Sequence, residues 1–234
     1  MTRLFLLSGI SFCLFVACNS AGVKGNSTDT AQKKGSLFSF LSFENRASAS
    51  VPDYIRWVED SAHGMISKRM IGGIVYKAQY CPVDYSVLRE IGLDAITSDK
   101  LIQGRKENGK TTCMIFTIED PDHAAELMKS GISSQEAYQE RIQYCSFYIQ
   151  NDLYLIDGID TLPCRVSHFE RTYGIAPYAK FTLLFDKNIQ QSKTNQHSDS
   201  DKTLVYFDRM FQSGIVKMKI KAEDLAQVPE LIIN

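Results

Sequence analysis

Apolar and polar positions recur along this chain with two different periods. From Gly73 to Tyr80, Ile74, Tyr76, Ala78 and Tyr80 fall on one side and Lys77 and Gln79 on the other, the alternation of a half-buried strand. Thr111 to Ile118 is strongly apolar and predicts another strand. Further strands are expected at Leu153 to Ile156, Cys164 to Thr172, Tyr178 to Phe185, Leu204 to Phe207 and Ile215 to Lys221, with turns at Gly158 and Gly174. In the last of these Val216, Met218 and Ile220 should face a core and Lys217, Lys219 and Lys221 should point outward. Such a lysine ladder discourages edge-to-edge pairing; it also suits an anionic partner.

The helical period appears earlier in the chain. Pro52 to Ala62 offers Tyr54, Ile55, Trp57 and Val58 for packing. Pro82 and Asp84 open VDYSVLREIG, and Gly92 lies near its end. Asp120 to Lys129 predicts a short helix ended by Gly131. Ser133 or Ser134 then caps a helix with Gln135 and Glu136 in its first turn. Tyr138, Ile142, Cys145 and Ile149 form its core-facing stripe. The stretch IQGRKENGK, by contrast, predicts a polar hairpin or loop, and NIQQSKTNQHSDSD (188–201) a long polar loop. With helices mostly in the first half and strands mostly in the second, the expected fold is α+β: an antiparallel sheet packed with helices. The absence of a regular βαβ alternation argues against a doubly wound nucleotide-binding fold.

The amino-terminal stretch follows neither period. After Arg3, apolar residues run from Leu4 to Val16, shorter than the roughly 20 residues a membrane-spanning helix needs. A basic start, a short apolar run and a small residue before a break describe a secretory signal. Its last four residues, Phe15-Val16-Ala17-Cys18, resemble the lipobox of bacterial lipoproteins, although Phe15 stands where that family usually has Leu. The resemblance implies cleavage before Cys18 and lipidation of its sulfur and new amino group. Two or more acyl chains would hold the protein stably at a membrane. A plain secretory signal and an uncleaved anchor are the other readings. Among lipoproteins, Asn19 is not the aspartate linked to inner-membrane retention, and Asn19 to Lys24 lacks the acidic cluster that often accompanies surface export in the Bacteroidota. The resemblance therefore implies an outer-membrane anchor facing the periplasm, with the cell surface as alternative.

Residues 18–49 are rich in Ser, Gly, Thr, Lys and Asn and predict a lipid-anchored flexible tether between a signal peptide (1–17) and a single globular domain (50–234). Within it SLFSFLSF (36–43) carries an apolar face suited to the protein's own domain, a membrane surface or a partner. Asp29-Thr30-Ala31 resembles the short O-glycosylation pattern of the Bacteroidota, making Thr30 a glycosylation candidate; Asp60-Ser61-Ala62 and Asp160-Thr161-Leu162 also match.

Chemistry-bearing residues are scattered. Cys81, Cys113, Cys145 and Cys164 lack CxxC spacing; four cysteines allow three disulfide connectivities, and Cys145 reads as a small buried hydrophobe. His63, His123, His168 and His197 have no HxxxH or HExxH spacing, so no metal is expected; His168, between Val166 and Glu170, reads as structural. There is no GxSxG elbow and no P-loop, and the acid pairs Glu59-Asp60 and Glu119-Asp120 read as solvated turns. Ser61 near His63 is a neighbour in sequence only. A formal net charge of −1 opposes a general nucleic-acid role. No cofactor is expected. The sequence thus points to a lipid-anchored envelope protein acting as a non-catalytic binding or assembly component, with an envelope protein as its partner and Asn195 and His197 as exposed loop contacts. An enzyme acting on envelope glycan or peptidoglycan, and a glycan- or small-ligand-binding lipoprotein, are the alternatives.

Overall fold

The strand that the alternation at Gly73–Tyr80 predicts is one arm of a hairpin in the computed structural model, which describes residues 47–122, 126–171, 176–187 and 200–233. β2 (Ile66–Ile71) turns through Gly72 and Gly73, both at positive φ, into β3 (Ile74–Cys81). Two left-handed residues match the twist of the strands they join, and glycine reaches that region without a Cβ penalty. β3 pairs with β4 (Thr111–Glu119), which pairs with β8 (Tyr178–Asp186), which pairs with β7 (Val166–Glu170). The order β2-β3-β4-β8-β7 is antiparallel throughout. A second antiparallel sheet has the order β10-β9-β5-β6, from β5 (Leu153–Asp157), β6 (Asp160–Pro163), β9 (Lys202–Asp208) and β10 (Gly214–Ile220).

The two sheets face each other. Tyr76, Phe116 and Phe181 from the larger sheet pack with Leu155, Leu204, Tyr206 and Met218 from the smaller. Phe169, Phe181 and Phe116 stack across β7, β8 and β4, with centroids 5.1 and 5.9 Å apart, and Tyr206 meets Phe116 edge-on at 5.1 Å. The tyrosines of this layer keep polar partners: buried Tyr76 donates to Asp208 at 2.8 Å, and half-buried Tyr144 to Asp152 at 2.9 Å. Asp208 also accepts from the backbone of Met210, Phe211 and Ser213, fixing the turn into β10.

The other face of the larger sheet carries the helices. α1 (Val51–Glu59), α2 (Val83–Ile91) and α3 (Ser98–Asn108) bury Tyr54, Val58, Tyr85, Val87, Leu88 and Leu101 against Cys81, Cys113 and Ile115. Gly104 of α3 lies so close to Val87 that an added Cβ would sit 2.6 Å from it. Covered on both faces, β4 is the most continuously buried strand, which explains its unbroken apolar run. Ser48 and Ala49 (β1) pair in parallel with Glu230 and Leu231 (β11) beside α1, so these two residues share the domain's hydrogen bonding. The described residues belong to one unit, 44–234.

The fold is α+β as expected, with helices drawn mainly from the first half and six of the nine strands of the two large sheets lying after Asp152. Several elements differ from the pattern's reading. The expected polar loop at IQGRKENGK is part of α3. Thr97 caps that helix through the Lys100 N–H, and a helix burying only Leu101 and Gly104 leaves almost no apolar stripe to read. β2 exposes four of its six residues and so hides its period. β6 (Asp160–Pro163) is a short edge strand. Among the described residues of Asp120 to Lys129, where a helix is expected, Leu127–Lys129 forms a 3-10 turn. Asp120 instead accepts from Ser130 and the Asp122 N–H, a local competitor to helix formation. α4 (Gln135–Gln143) widens into a π turn, Tyr144–Tyr148, yet its stripe holds: Cys145 and Ile149 are buried and Tyr138 and Ile142 pack on the same core. A four-residue helix, α5 (Ala222–Leu225), follows β10.

Candidate functional site

Two residues that sequence spacing kept apart meet at the end of the β3–β4 ladder. β3 closes on Cys81 and β4 opens near Cys113, and antiparallel register sets them directly opposite each other. Leu184 of β8 and Val166 of β7 extend the same row. Both cysteines are free thiols. They border a cavity of about 360 Å³ between α2 and the sheet, with Ser86, Arg89 and Glu90 on the helix side and Asn108, Thr111 and Thr182 around the rim.

Local sequence explains this composition. Pro82 starts α2 immediately after Cys81 and turns the chain back over the sheet. The helix then buries Val87 and Leu88 and leaves Ser86, Arg89 and Glu90 on the cavity side. Arg89 reaches Glu170 at 3.5 Å, and Glu170 is also held by Lys180 at 3.1 Å. Asn108 donates to Glu90 at 3.1 Å.

The two thiols differ in their electrostatics. The Cys81 thiol has both the Gln79 carbonyl, at 4.0 Å, and the Cys113 sulfur within reach. The nearness of Cys81, with the Ser86 and Arg89 side chains, draws the Cys113 thiol below its ordinary value against the opposing effect of burial. The nearness of Cys113, together with burial, pushes Cys81 well up. Cys145 and Cys164 lie in the inter-sheet core, where burial pushes each thiol up to about 12. The arrangement at Cys81–Cys113 therefore sets two thiols opposite each other at the wall of one cavity.

A second feature lies on the outer face of the smaller sheet. Ile215 and Phe207 are cross-strand partners and both exposed, at 55% and 41%. The next row on that face reads Lys217, Val205, Tyr154 and Pro163. Tyr154 meets Phe207 edge-on at 5.9 Å. Arg69 of β2 donates to the Lys217 carbonyl, placing two cations beside the apolar cluster. Val216, Met218 and Ile220 are buried as the alternation requires, and Lys219 and Lys221 turn outward to Asp201 and Glu223.

Other sequence candidates are dispersed. His168 lies in β7 opposite Thr182, on the row next to the thiol pair. His63 stacks on Trp57 and contacts its carbonyl at 2.8 Å. Among the described residues no group of His, Cys, Asp and Glu could hold a metal. Cys18, Thr30, residues 36–43, His123, Gly174, Asn195 and His197 lie outside the described residues. The Cys81–Cys113 pair was missed because no motif carries it. Reading AQYC and TTCM as neighbouring antiparallel strands was the one signal available.

No protein-family model matches this chain, and no curated protein matches it. Among solved structures, the chain is similar to a novel protein of unknown function from Burkholderia pseudomallei. The two share 12% identity over 75% of this chain and 87% of the other, at a TM-score of 0.37.

Proposed function

We propose that this chain is a lipid-anchored cell-envelope protein whose α+β domain is a non-catalytic binding or assembly component. Cys18 carries the lipid and holds the protein at the outer membrane, facing the periplasm, and residues 18–49 give the domain reach. The observation that carries the binding role is the outer sheet face: exposed Ile215 and Phe207 with half-buried Tyr154, bordered by Lys217 and Arg69. Its occupant is an envelope protein presenting an apolar ridge flanked by carboxylates, because the cluster offers apolar area and Lys217 and Arg69 lie at its border.

The test is crosslinking and pull-down from intact envelopes with the anchored wild type, a Cys18→Ser variant and a Phe207→Asp/Ile215→Asp variant. Both substituted sheet positions are exposed, so circular dichroism should be unchanged. A single stoichiometric envelope protein, recovered by wild type and lost from both variants, is the expected result. Recovery of no protein, or equal recovery by the sheet-face variant, would overturn the binding role. An unmodified amino-terminal Cys18 by mass would separately overturn the anchor.

A further inference from the structure

The cavity at the end of β3 and β4 has no role in that reading, yet it has the features of a reactive site. Directly opposed residues of an antiparallel pair have Cα atoms about 4.5 to 5.5 Å apart, inside the roughly 4.4 to 6.8 Å that a disulfide spans. Cys81 and Cys113 occupy such a pair and both border the cavity. Cys145, in contrast, packs against Met210, and the Cys164 thiol donates to the Val166 carbonyl; neither has a register partner that is a cysteine. A geometry ready for bonding therefore exists at one pair among the described cysteines.

Exposure also selects which sulfur reacts first: Cys113 is 9% exposed and Cys81 3%. Ser86 and Arg89 of α2 line the cavity that both cysteines border, bringing a hydroxyl and a positive charge to it. Thiolates attack disulfides, and cationic neighbours raise the thiolate population. Glu90, also on the rim, is engaged by Asn108, and Glu170 is shared between Arg89 and Lys180. The cavity's volume of about 360 Å³ limits the reagent to a small one, and Arg89 favours a carboxylate on it.

We propose that Cys81 and Cys113 form a thiol–disulfide exchange site, with Cys113 as the attacking sulfur, for small carboxylate-bearing disulfides. The Cys113 thiolate attacks one sulfur of the reagent RSSR. That S–S bond breaks, the first RS⁻ leaves and takes up a proton, and Cys113 is left as a mixed disulfide. Cys81 loses its proton to solvent and attacks the Cys113 sulfur. The second RS⁻ leaves and is protonated as the Cys81–Cys113 bond forms. Two protein thiols are oxidised by two electrons, and one reagent disulfide is reduced to two thiols. The inference does not depend on the membrane anchor.

The experiment treats the reduced full-length protein with cystine at pH 8 under native conditions, followed by acid quenching, isotope-coded alkylation and peptide mass analysis. In wild type a peptide crosslinked between Cys81 and Cys113 should accumulate while Cys145 and Cys164 remain alkylatable. Cys81→Ser should stop at a cysteinyl mixed disulfide on Cys113. Cys113→Ser should react at Cys81 at least roughly tenfold more slowly, because burial still disfavours the thiolate of that less exposed sulfur. Arg89→Gln retains both sulfurs, so it reports on reactivity even if a serine variant fails to fold. It should move the pH midpoint of Cys113 alkylation upward. Crosslinking to another cysteine would overturn the proposal, as would wild-type Cys81 and Cys113 remaining thiols. An Arg89→Gln profile identical to wild type would overturn the assignment of Cys113 as the attacking sulfur.

Discussion

The two faces of the larger sheet carry the same residue type under opposite conditions. Toward the smaller sheet, Cys145 and Cys164 join a layer of Phe, Tyr, Leu and Met in which burial is the dominant influence on the thiols. Toward the helices, Cys81 and Cys113 also have low exposure, 3% and 9%, but they share a cavity with each other, a hydroxyl and a guanidinium. A cysteine's chemistry here follows from its polar neighbours as well as from its depth. The same contrast extends to packing. The inter-sheet layer is built around stacked rings, whereas the helix layer packs Tyr54, Tyr85 and aliphatic side chains, with Gly104 against Val87 and an ion pair at its rim.

If the inter-sheet layer supplies most of the stability, its central ring should be the costliest to remove. Phe181 is fully buried and stacks on both Phe116 and Phe169. Phe181→Ala should therefore destabilise by about 3 to 5 kcal/mol, lost transfer energy and a residual cavity acting together. Urea unfolding followed by tyrosine fluorescence measures this. A loss near 1 kcal/mol would mean the layer collapses onto the gap and the contrast with the helix side is weaker than drawn.

The helix side should break by overpacking instead. Gly104 sits against Val87, so Gly104→Val drives branched methyls into a space already filled. The expected cost is about 1 to 3 kcal/mol, from separation of α2 and α3. Because α2 also carries Ser86 and Arg89, this variant should in addition lower Cys113 alkylation at pH 8 relative to wild type, a readout that Phe181→Ala should leave nearly unchanged under native conditions. Equal thiol reactivity in the two variants would show that the cavity does not depend on the α2–α3 contact.

The inter-sheet layer was the more legible of the two in the sequence. Alternation at Ile74–Tyr80 and Val216–Ile220 places side chains on one face without any knowledge of partners, and those residues do face the core. The helix side was read poorly because its signals are relational. α3 has little apolar stripe of its own and is fixed by Thr97 at its start and Val87 opposite Gly104. The thiol pair is 32 positions apart in sequence, with two helices between, and becomes a pair only through β3–β4 register. β2 was hidden because an edge strand with exposed Lys68, Arg69 and Met70 shows no buried period.

The smallest effect should come from the ion pair at the rim of the helix layer. Arg105 of α3 grips Asp84 of α2 through two hydrogen bonds of 2.6 and 2.7 Å, but its side chain is 41% exposed. Water already solvates much of that charge and salt screens the remainder, so the fork holds α3 in register without contributing much net energy. Arg105→Gln should cost no more than about 1 kcal/mol, and the difference from wild type should shrink between low and high salt. A salt-insensitive loss of about 2 kcal/mol or more would show that the α2–α3 contact is held by charge at the rim. Gly104 would then be a tolerated gap beside a stronger fastening, and the helix layer would owe its cohesion to a different force from the one that its close packing suggests.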